Sequence, residues 1–186
     1  MMVGMRRAFA LPLMLVVAGC GGGGNGGQGS TPPPQSTAHL RVSSPAFING
    51  ARLQKKYTCD GAGEEPVVRA GTVPPSTKEL VLIVSDPDTQ KGTFVHVTRY
   101  GLSPRGDGAV NTGGTEGRNS GGKVGWSPPC PPPGEEPHHY TWTVFALRKP
   151  TGLKGGAVPD EVIAAVSDGA LASGATTATY SRKPPG

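Results

Sequence analysis

The residues best suited to chemistry stand in or beside strand-like segments of the sequence. Asp86-Pro87-Asp88 directly follows an apolar run, and His96 lies in the next β-branched and aromatic segment. His138 and Tyr140 begin a third such segment. Histidine and phenol side chains that converge on a cleft, together with backbone N–H groups, form a site for a small anion. The sequence therefore suggests an anion-binding cleft.

The same residues also fit plainer roles. Asp-Pro sequences favour turns, and the histidines would serve equally well as polar side chains with satisfied hydrogen bonds, so a purely structural interpretation stays open. No Cys or His pair has the spacing of zinc ligands, so neither a metal nor another cofactor is expected. The sequence shows neither a Gly-x-Ser-x-Gly elbow nor a Cys–His nucleophile pair, so no catalytic residue is expected.

Residues 117–123 imitate a phosphate-binding loop. They fit the first seven positions of GxxxxGK[ST], but Val124 replaces the hydroxyl residue that would hold Mg²⁺. Pro128 and Pro129 prevent the helix whose N-terminus would receive the phosphate. We expect no nucleotide site in this loop.

Four strands and one helix are expected to position these residues. Apolar, β-branched and aromatic runs predict strands over residues 78–85, 94–101, 138–148 and 175–181. Alternation puts His138, Tyr140 and Trp142 on one face, and it would also put Phe94, His96, Thr98 and Tyr100 on one face. Pro159, followed by two acidic residues and a helical repeat of apolar residues, predicts a helix. The proline-rich stretch 128–137 is interpreted as a stiff pocket wall.

Composition limits the fold class. Of the 186 residues 30 are Gly and 20 are Pro, and aromatic residues make up only 5%. A coiled coil or helical bundle is therefore excluded, because both are rich in Ala, Glu, Lys and Leu. Strands followed by one late helix predict a mainly β protein, an antiparallel β-sandwich with one or two short peripheral helices.

The N-terminus has the features of a bacterial lipoprotein. Arg6 and Arg7 precede a 12-residue apolar stretch, 8–19, which is too short to span a bilayer as a helix and ends in Val-Ala-Gly before Cys20. We interpret residues 1–19 as a signal peptide, Cys20 as the lipidated residue and 20–39 as a Gly/Pro-rich tether. The alternative is an ordinary cleaved signal peptide with an incidental cysteine.

This interpretation also fixes the location and the charge. A lipidated Cys20 would anchor the domain, residues 40–182, to the extracytoplasmic face of the bacterial membrane. Cleavage would remove Arg6 and Arg7 and reduce the formal charge from +5 to +3. That modest charge lacks the clustered Lys and Arg of a nucleic-acid-binding surface, so no nucleic-acid partner is expected.

Seven short motifs resemble one known family. In order, they are Ser44-Pro45-Ala46-Phe47, Lys56-Tyr57-Thr58-Cys59-Asp60-Gly61, Asp86-Pro87-Asp88, Thr93-Phe94-Val95-His96, Glu116-Gly117-x-Asn119, Pro129-Cys130-Pro131-Pro132 and His138-x-Tyr140. Together they resemble the phosphatidylethanolamine-binding protein family, specifically its bacterial Raf-kinase-inhibitor-like branch, over about residues 42–182. The family's Gly-Gly before Pro-Cys is Ser127-Pro128 here, and Pro128 has no N–H to donate.

The resemblance implies a β-sandwich with a small pocket for phosphate, acetate or a phospholipid head group, in proteins described as modulators and not as catalysts. Carried over to this sequence, the ligand-binding residues would be Asp86, His96, His138 and Tyr140, with Tyr180 near the rim. An alternative function is a protein-interaction or inhibitor module, acting on a hydrolase or kinase, whose pocket is vestigial.

Two cysteines lie in loops that border this expected pocket. Without Cys20, Cys59 and Cys130 are the remaining cysteines of a chain in an oxidising compartment, where disulfides persist. We therefore expect a disulfide between them. The alternative is two buried free thiols.

Overall fold

The computed structural model describes Met1 and residues 38–105 and 108–184. Its strands, labelled in chain order, are β1 (Val42–Ser43), β2 (Arg69–Ala70), β3 (Glu79–Asp86), β4 (Phe94–Leu102), β5 (Thr115–Glu116), β6 (His138–Leu147) and β7 (Ala170–Tyr180). A 3-10 turn covers Lys55–Tyr57, and the helix α1 covers Pro159–Ser167. Strands β3, β4 and β6 therefore lie within one residue of their predicted bounds, and the helix begins at the predicted Pro159.

The main sheet has the strand order β5-β4-β3-β6-β7, with antiparallel neighbours throughout. Every residue of the central strand β3 is buried, as its unbroken apolar run predicted. Leu82, Val84 and Trp142 pack on one face under β1, β2 and the long loops. Ile83 and Phe145 pack on the other face against α1. The predicted mainly β, antiparallel sandwich with a peripheral helix is confirmed.

Strand β4 contains one more residue than β3 at the end of the sheet that leads to Asp86. Val84 pairs with Val97, but the next residue, Ser85, pairs with Val95, so His96 is the extra residue of a β-bulge. A bulge reverses the alternation of side chains beyond it. Val95 accordingly packs on the helix side of the sheet, and Val97 packs on the opposite side.

The bulge corrects one prediction. The alternation that would put Phe94, His96, Thr98 and Tyr100 on one face is wrong. Tyr100 packs with the helix, whereas Phe94 and His96 face the same cavity as Tyr140. Strict alternation failed because it assumed a strand without an inserted residue.

Strand β7 begins at Ala170, five residues before the predicted start at 175. Its first residues are small and include Gly174, which is more typical of a turn than of a strand. The glycine is needed because a Cβ atom there would overlap the carbonyl oxygen of Leu40. Leu40 in turn donates its N–H to the Ser173 carbonyl at 2.7 Å.

Apart from Met1, the predicted signal peptide lies outside the described residues, as do Cys20, the predicted lipidation site, and all but the last two residues of the predicted tether. Among the residues that are described, no helix has the length and apolarity that crossing a membrane requires.

A disulfide joins Cys59, just after the 3-10 turn, to Cys130 in the proline-rich stretch. The two Cα atoms are 5.3 Å apart, and 71 positions separate the cysteines in sequence. The Cys59 N–H also donates to the Pro129 carbonyl at 3.0 Å. Two distant loops are thus fixed side by side.

We predict that breaking this bond lowers the free energy of unfolding by about 4 kcal/mol, because closing a loop of this length removes that much entropy from the unfolded chain. Urea unfolding of the oxidised and reduced domain measures the difference. Intact mass after thiol blocking under denaturing conditions is the direct check: alkylation of Cys59 and Cys130 before reduction would show that the bond does not form.

Candidate functional site

A cavity of about 380 Å³ opens where β3, β4 and β6 end side by side. Four predicted site residues line it: Asp86 at the end of β3, His96 in the bulge of β4, and His138 and Tyr140 at the start of β6. The other lining residues are Thr89, Gln90, Lys91, Phe94, Ser127, Pro128, Cys130, Pro131, Pro132 and Glu135. Antiparallel neighbours bring the end of β3 beside the start of β6, which is why residues 52 positions apart in sequence meet here.

His138 lies between two carboxylates. Its Nδ1 is 2.8 Å from Asp86 Oδ2, and its Nε2 is 3.1 Å from Glu135 Oε2. A carboxylate only accepts hydrogen bonds, so both ring nitrogens donate and the ring is an imidazolium. Burial by itself would lower the pKa of His138, but the hydrogen bonds from the ring to Asp86 and Glu135 raise it above its ordinary value.

His96 has the opposite protonation state. Burial lowers its pKa below the ordinary value, although a hydrogen bond to Ser127 and the charge of Asp86 partly oppose this. Its Nδ1 donates to the Ser127 carbonyl at 2.7 Å, which leaves Nε2 as a bare acceptor. Nε2 is buried and has no hydrogen-bond partner among the described residues. The neutral ring therefore presents an unused lone pair.

Tyr140 provides a second unused polar atom. Its hydroxyl is buried and has no hydrogen-bond partner among the described residues. Burial raises the pKa of the phenol, and the charges of Asp86 and Asp88 and an interaction of the hydroxyl with the Asp86 carboxylate add to this, so the hydroxyl keeps its proton and is a donor. The rings of Tyr140 and His96 meet edge to face with centroids 5.3 Å apart. A donor and an acceptor thus face one cavity.

The proline-rich stretch forms one wall of the cavity, as interpreted from the sequence. Pro128, Pro131 and Pro132 line it beside Cys130 of the disulfide. Proline has no N–H, so these three positions offer a ligand no backbone donor. Hydrogen-bond donors on this side of the cavity therefore have to come from side chains.

Tyr180 does not line the cavity, which corrects its predicted place at the rim. It pairs with His138 across β6 and β7, but its hydroxyl donates to Asp60 Oδ2 at 2.7 Å. Arg182 donates to the other oxygen of Asp60 at 3.0 Å. Tyr180 thus fixes the loop that carries the disulfide.

Three site residues were missed from the sequence: Ser127, Gln90 and Glu135. Ser127 acts through its backbone carbonyl, which any residue supplies, so no sequence signal exists for it. Glu135 lies only three residues before His138, a spacing that would have suggested a contact. Gln90 donates to Glu135 Oε1 at 2.8 Å from the opposite loop.

The loop 117–123, which imitates a phosphate-binding loop, has a structural role. Asn119 Oδ1 accepts from the N–H groups of Gly121 and Lys123, and its amide donates to the Gly125 carbonyl at 3.0 Å. The side chain of Asn119 thus fills the loop. Among the residues that the structure describes, no group of three His, Cys, Asp or Glu side chains is arranged to hold a metal ion.

A family model and a curated relative both match most of this chain. A family model described as "Phosphatidylethanolamine-binding protein" matches residues 43–181. A Mycobacterium tuberculosis protein named "Putative lipoprotein LppC" is 33% identical over 91% of this chain and 92% of its own length. The match to that protein therefore extends beyond the domain into the N-terminal segment.

Two solved structures resemble the fold. A Chlamydia trachomatis protein, described as a homologue of phosphatidylethanolamine-binding protein, superposes with a TM-score of 0.71 at 30% identity, over 78% of this chain and 99% of its own. Escherichia coli YbcL, described as a member of the mammalian PEBP family, superposes with a TM-score of 0.72 at 25% identity, over 78% of this chain and 100% of its own.

We predict that Asp86→Asn lowers the pKa of His138, because the amide removes the negative charge next to Nδ1. Titration of the histidine ring signals by NMR measures this. Asp88→Asn is the matched control: Asp88 bonds the backbone and ring of His139, so the pKa of His138 should change less. Equal shifts in both variants would contradict the assigned pairing.

The raised pKa of His138 also determines the direction in which the stability of the fold changes with pH. The pKa of His138 is higher in the folded chain than in the unfolded chain. Protonation of His138 therefore stabilises the fold fully below the unfolded-state pKa, and this contribution disappears as the pH rises through the folded-state pKa. Asp86→Asn should weaken that dependence.

Proposed function

The chain belongs to the phosphatidylethanolamine-binding protein family, and from this premise we propose that its pocket binds a small oxyanion, either free or as the phosphate of a phospholipid head group. Members of this family are generally binding or regulatory proteins and not enzymes. One observation carries the proposal: His96 Nε2 and the Tyr140 hydroxyl are buried, lack hydrogen-bond partners among the described residues and belong to side chains that line the same cavity.

Two such atoms call for a ligand that both donates and accepts. Leaving a buried polar atom without a partner costs about 1–3 kcal/mol, so a ligand that supplies the missing hydrogen bonds recovers that free energy. Free phosphate or a phosphate monoester with one protonated oxygen donates its O–H to His96 Nε2 and accepts from Tyr140. Transfer of that proton to His96 gives an ion pair with the same number of protons. The phosphodiester of a phospholipid head group has no such proton, so for that ligand His96 would take up a proton from solvent and donate from Nε2. Binding is therefore coupled to one proton in each case.

The charges around the pocket moderate the affinity. The imidazolium of His138 and Lys91 at the mouth attract an anion, whereas the carboxylates of Asp86 and Glu135 oppose it. Two or three hydrogen bonds to the ligand favour binding, whereas the repulsion by these carboxylates and the entropy cost of association oppose it. The balance corresponds to a Kd of roughly micromolar to millimolar.

We predict that phosphate and phosphoethanolamine shift the NMR signals of His96 and Tyr140, and that His96→Ala abolishes the shifts. For phosphoethanolamine the affinity should fall as the pH rises through about 6, where the phosphate loses its last proton. The two ligands separate recognition of the phosphate alone from recognition of a head group.

His139→Ala is the matched control, because the side chain of His139 is exposed and bonds Asp88 outside the cavity. This variant should bind as the native chain does. Absence of any shift near His96 at tens of millimolar ligand would favour the alternative of a protein-interaction module with a vestigial pocket.

The proposal includes a lipid anchor at Cys20 that holds the domain at the extracytoplasmic face of the membrane. The lipoprotein-like motif at residues 17–20 and the lipoprotein name of the M. tuberculosis relative support it. Two acyl chains on one residue anchor a protein stably, whereas a single chain binds marginally.

We predict that Cys20→Ala moves the protein from the membrane fraction to the soluble fraction, because the acyl chains have lost their attachment atom. The double variant Cys59→Ala/Cys130→Ala is the control and should stay with the membrane. Immunoblots of fractionated cells measure both, and a Cys20→Ala protein that stays membrane-bound would exclude this anchor.

A further inference from the structure

Glu135 places a carboxylate of the protein itself in the lining of the pocket, beside His138. One of its carboxylate oxygens, Oε2, is 3.1 Å from His138 Nε2, and the other, Oε1, accepts from Gln90 Nε2 at 2.8 Å. His138 is buried and belongs to β6, whereas Gln90 is exposed and lies in the loop after β3. The side chain therefore bridges the mouth of the cavity between two separate segments.

The two donors that hold Glu135 are also donors that an entering oxyanion would use. Both His138 and Gln90 line the cavity, and a carboxylate accepts from them in the way that a phosphate or acetate oxygen would. Asp86 already holds the other nitrogen of His138. No further N–H of this ring is left for a ligand while Glu135 stays in place.

The attachment of Glu135 permits exchange. Its side chain is 31% exposed, and in the structure it is held by the hydrogen bonds to His138 and Gln90. It follows Gly134, whose φ of 86° places it in a turn. A side chain at the surface of a turn rotates into solvent without moving the strands.

We propose that Glu135 is an internal ligand of the pocket, which competes with external oxyanions for His138 and Gln90 and swings out when one binds. This inference rests on the proposed function of the site. An internal competitor lowers the apparent affinity for every external ligand by the fraction of molecules in which the site is open. Glu135 thus sets the concentration at which the pocket responds.

The test compares the affinities of acetate and phosphate for the native chain, Glu135→Ala, Glu135→Gln and Glu136→Ala, followed on the ring signals of His96 and His138. Glu135→Ala should bind both anions roughly tenfold more tightly than the native chain, because the competitor is gone. The affinity of Glu135→Gln should lie between those of the native chain and Glu135→Ala, because the amide keeps the size of the side chain but not its charge. Glu136→Ala, which removes the exposed neighbouring carboxylate, should match the native chain.

The outcomes separate this inference from the function on which it rests. If the native chain binds and Glu135→Ala binds equally or more weakly, the internal ligand is excluded while the pocket function stands. An equal gain in Glu136→Ala would exclude it too, because general charge repulsion would explain the result. If neither the native chain nor Glu135→Ala binds at about 50 mM, the pocket function fails and the inference fails with it.

A measurement on the native chain keeps the inference testable if Glu135→Ala does not fold. The carboxyl ¹³C signal of Glu135 should move towards that of a solvent-exposed glutamate as acetate saturates the site. A signal that stays unchanged at saturation would show that Glu135 keeps its place on His138 and would overturn the inference.

Discussion

The arrangement of the site depends on one inserted residue in a β-strand. His96 is the extra residue of β4 in the bulge near the end of β3. If the two strands paired regularly, the His96 side chain would face the helix side of the sheet. The backbone carbonyl of His96 receives its hydrogen bond from outside the sheet, because Ser127 donates its N–H to it at 2.9 Å. The Ser127 carbonyl also accepts from the His96 ring at 2.7 Å. One residue of the neighbouring loop therefore fixes both the position and the tautomer of the histidine.

That loop is itself held by contacts far from it in sequence. The Trp126 ring donates to the Gly63 carbonyl at 2.9 Å, and the disulfide joins Cys130 to Cys59. Prolines restrict the backbone between these fixed points. The wall of the cavity thus consists of a stiff segment that supplies shape but few donors. Under the proposed function, recognition would depend on the side chains that the three strands bring to the same edge.

Much of this could be predicted from the sequence, and the failures have physical causes. The unbroken apolar run of β3 predicted a strand buried on both faces, and the motifs around Asp86 and His138 predicted their convergence. The bulge at His96 was missed because alternation assumes equal residue numbers in paired strands. The start of β7 was missed because a glycine is unusual in a strand. Gly174 is needed there to leave room for the carbonyl of Leu40, which belongs to a distant segment. Tyr180 was misplaced because its partner, Asp60, lies 120 positions away.

The two histidines of the pocket differ in the direction of their pKa shifts because their partners differ, and under the proposed function this difference would determine which anion is bound. His138 faces two carboxylates, which raise its pKa and balance the positive charge of the protonated ring within the protein. His96 faces a backbone carbonyl, so it is neutral and its lone pair is unused. A fully ionised anion, such as a phosphodiester, would place a lone pair against the lone pair of His96 unless the ring took up a proton from solvent. An anion that carries a proton would meet a buried acceptor instead, so under the proposed function the pocket would select for the proton as much as for the charge.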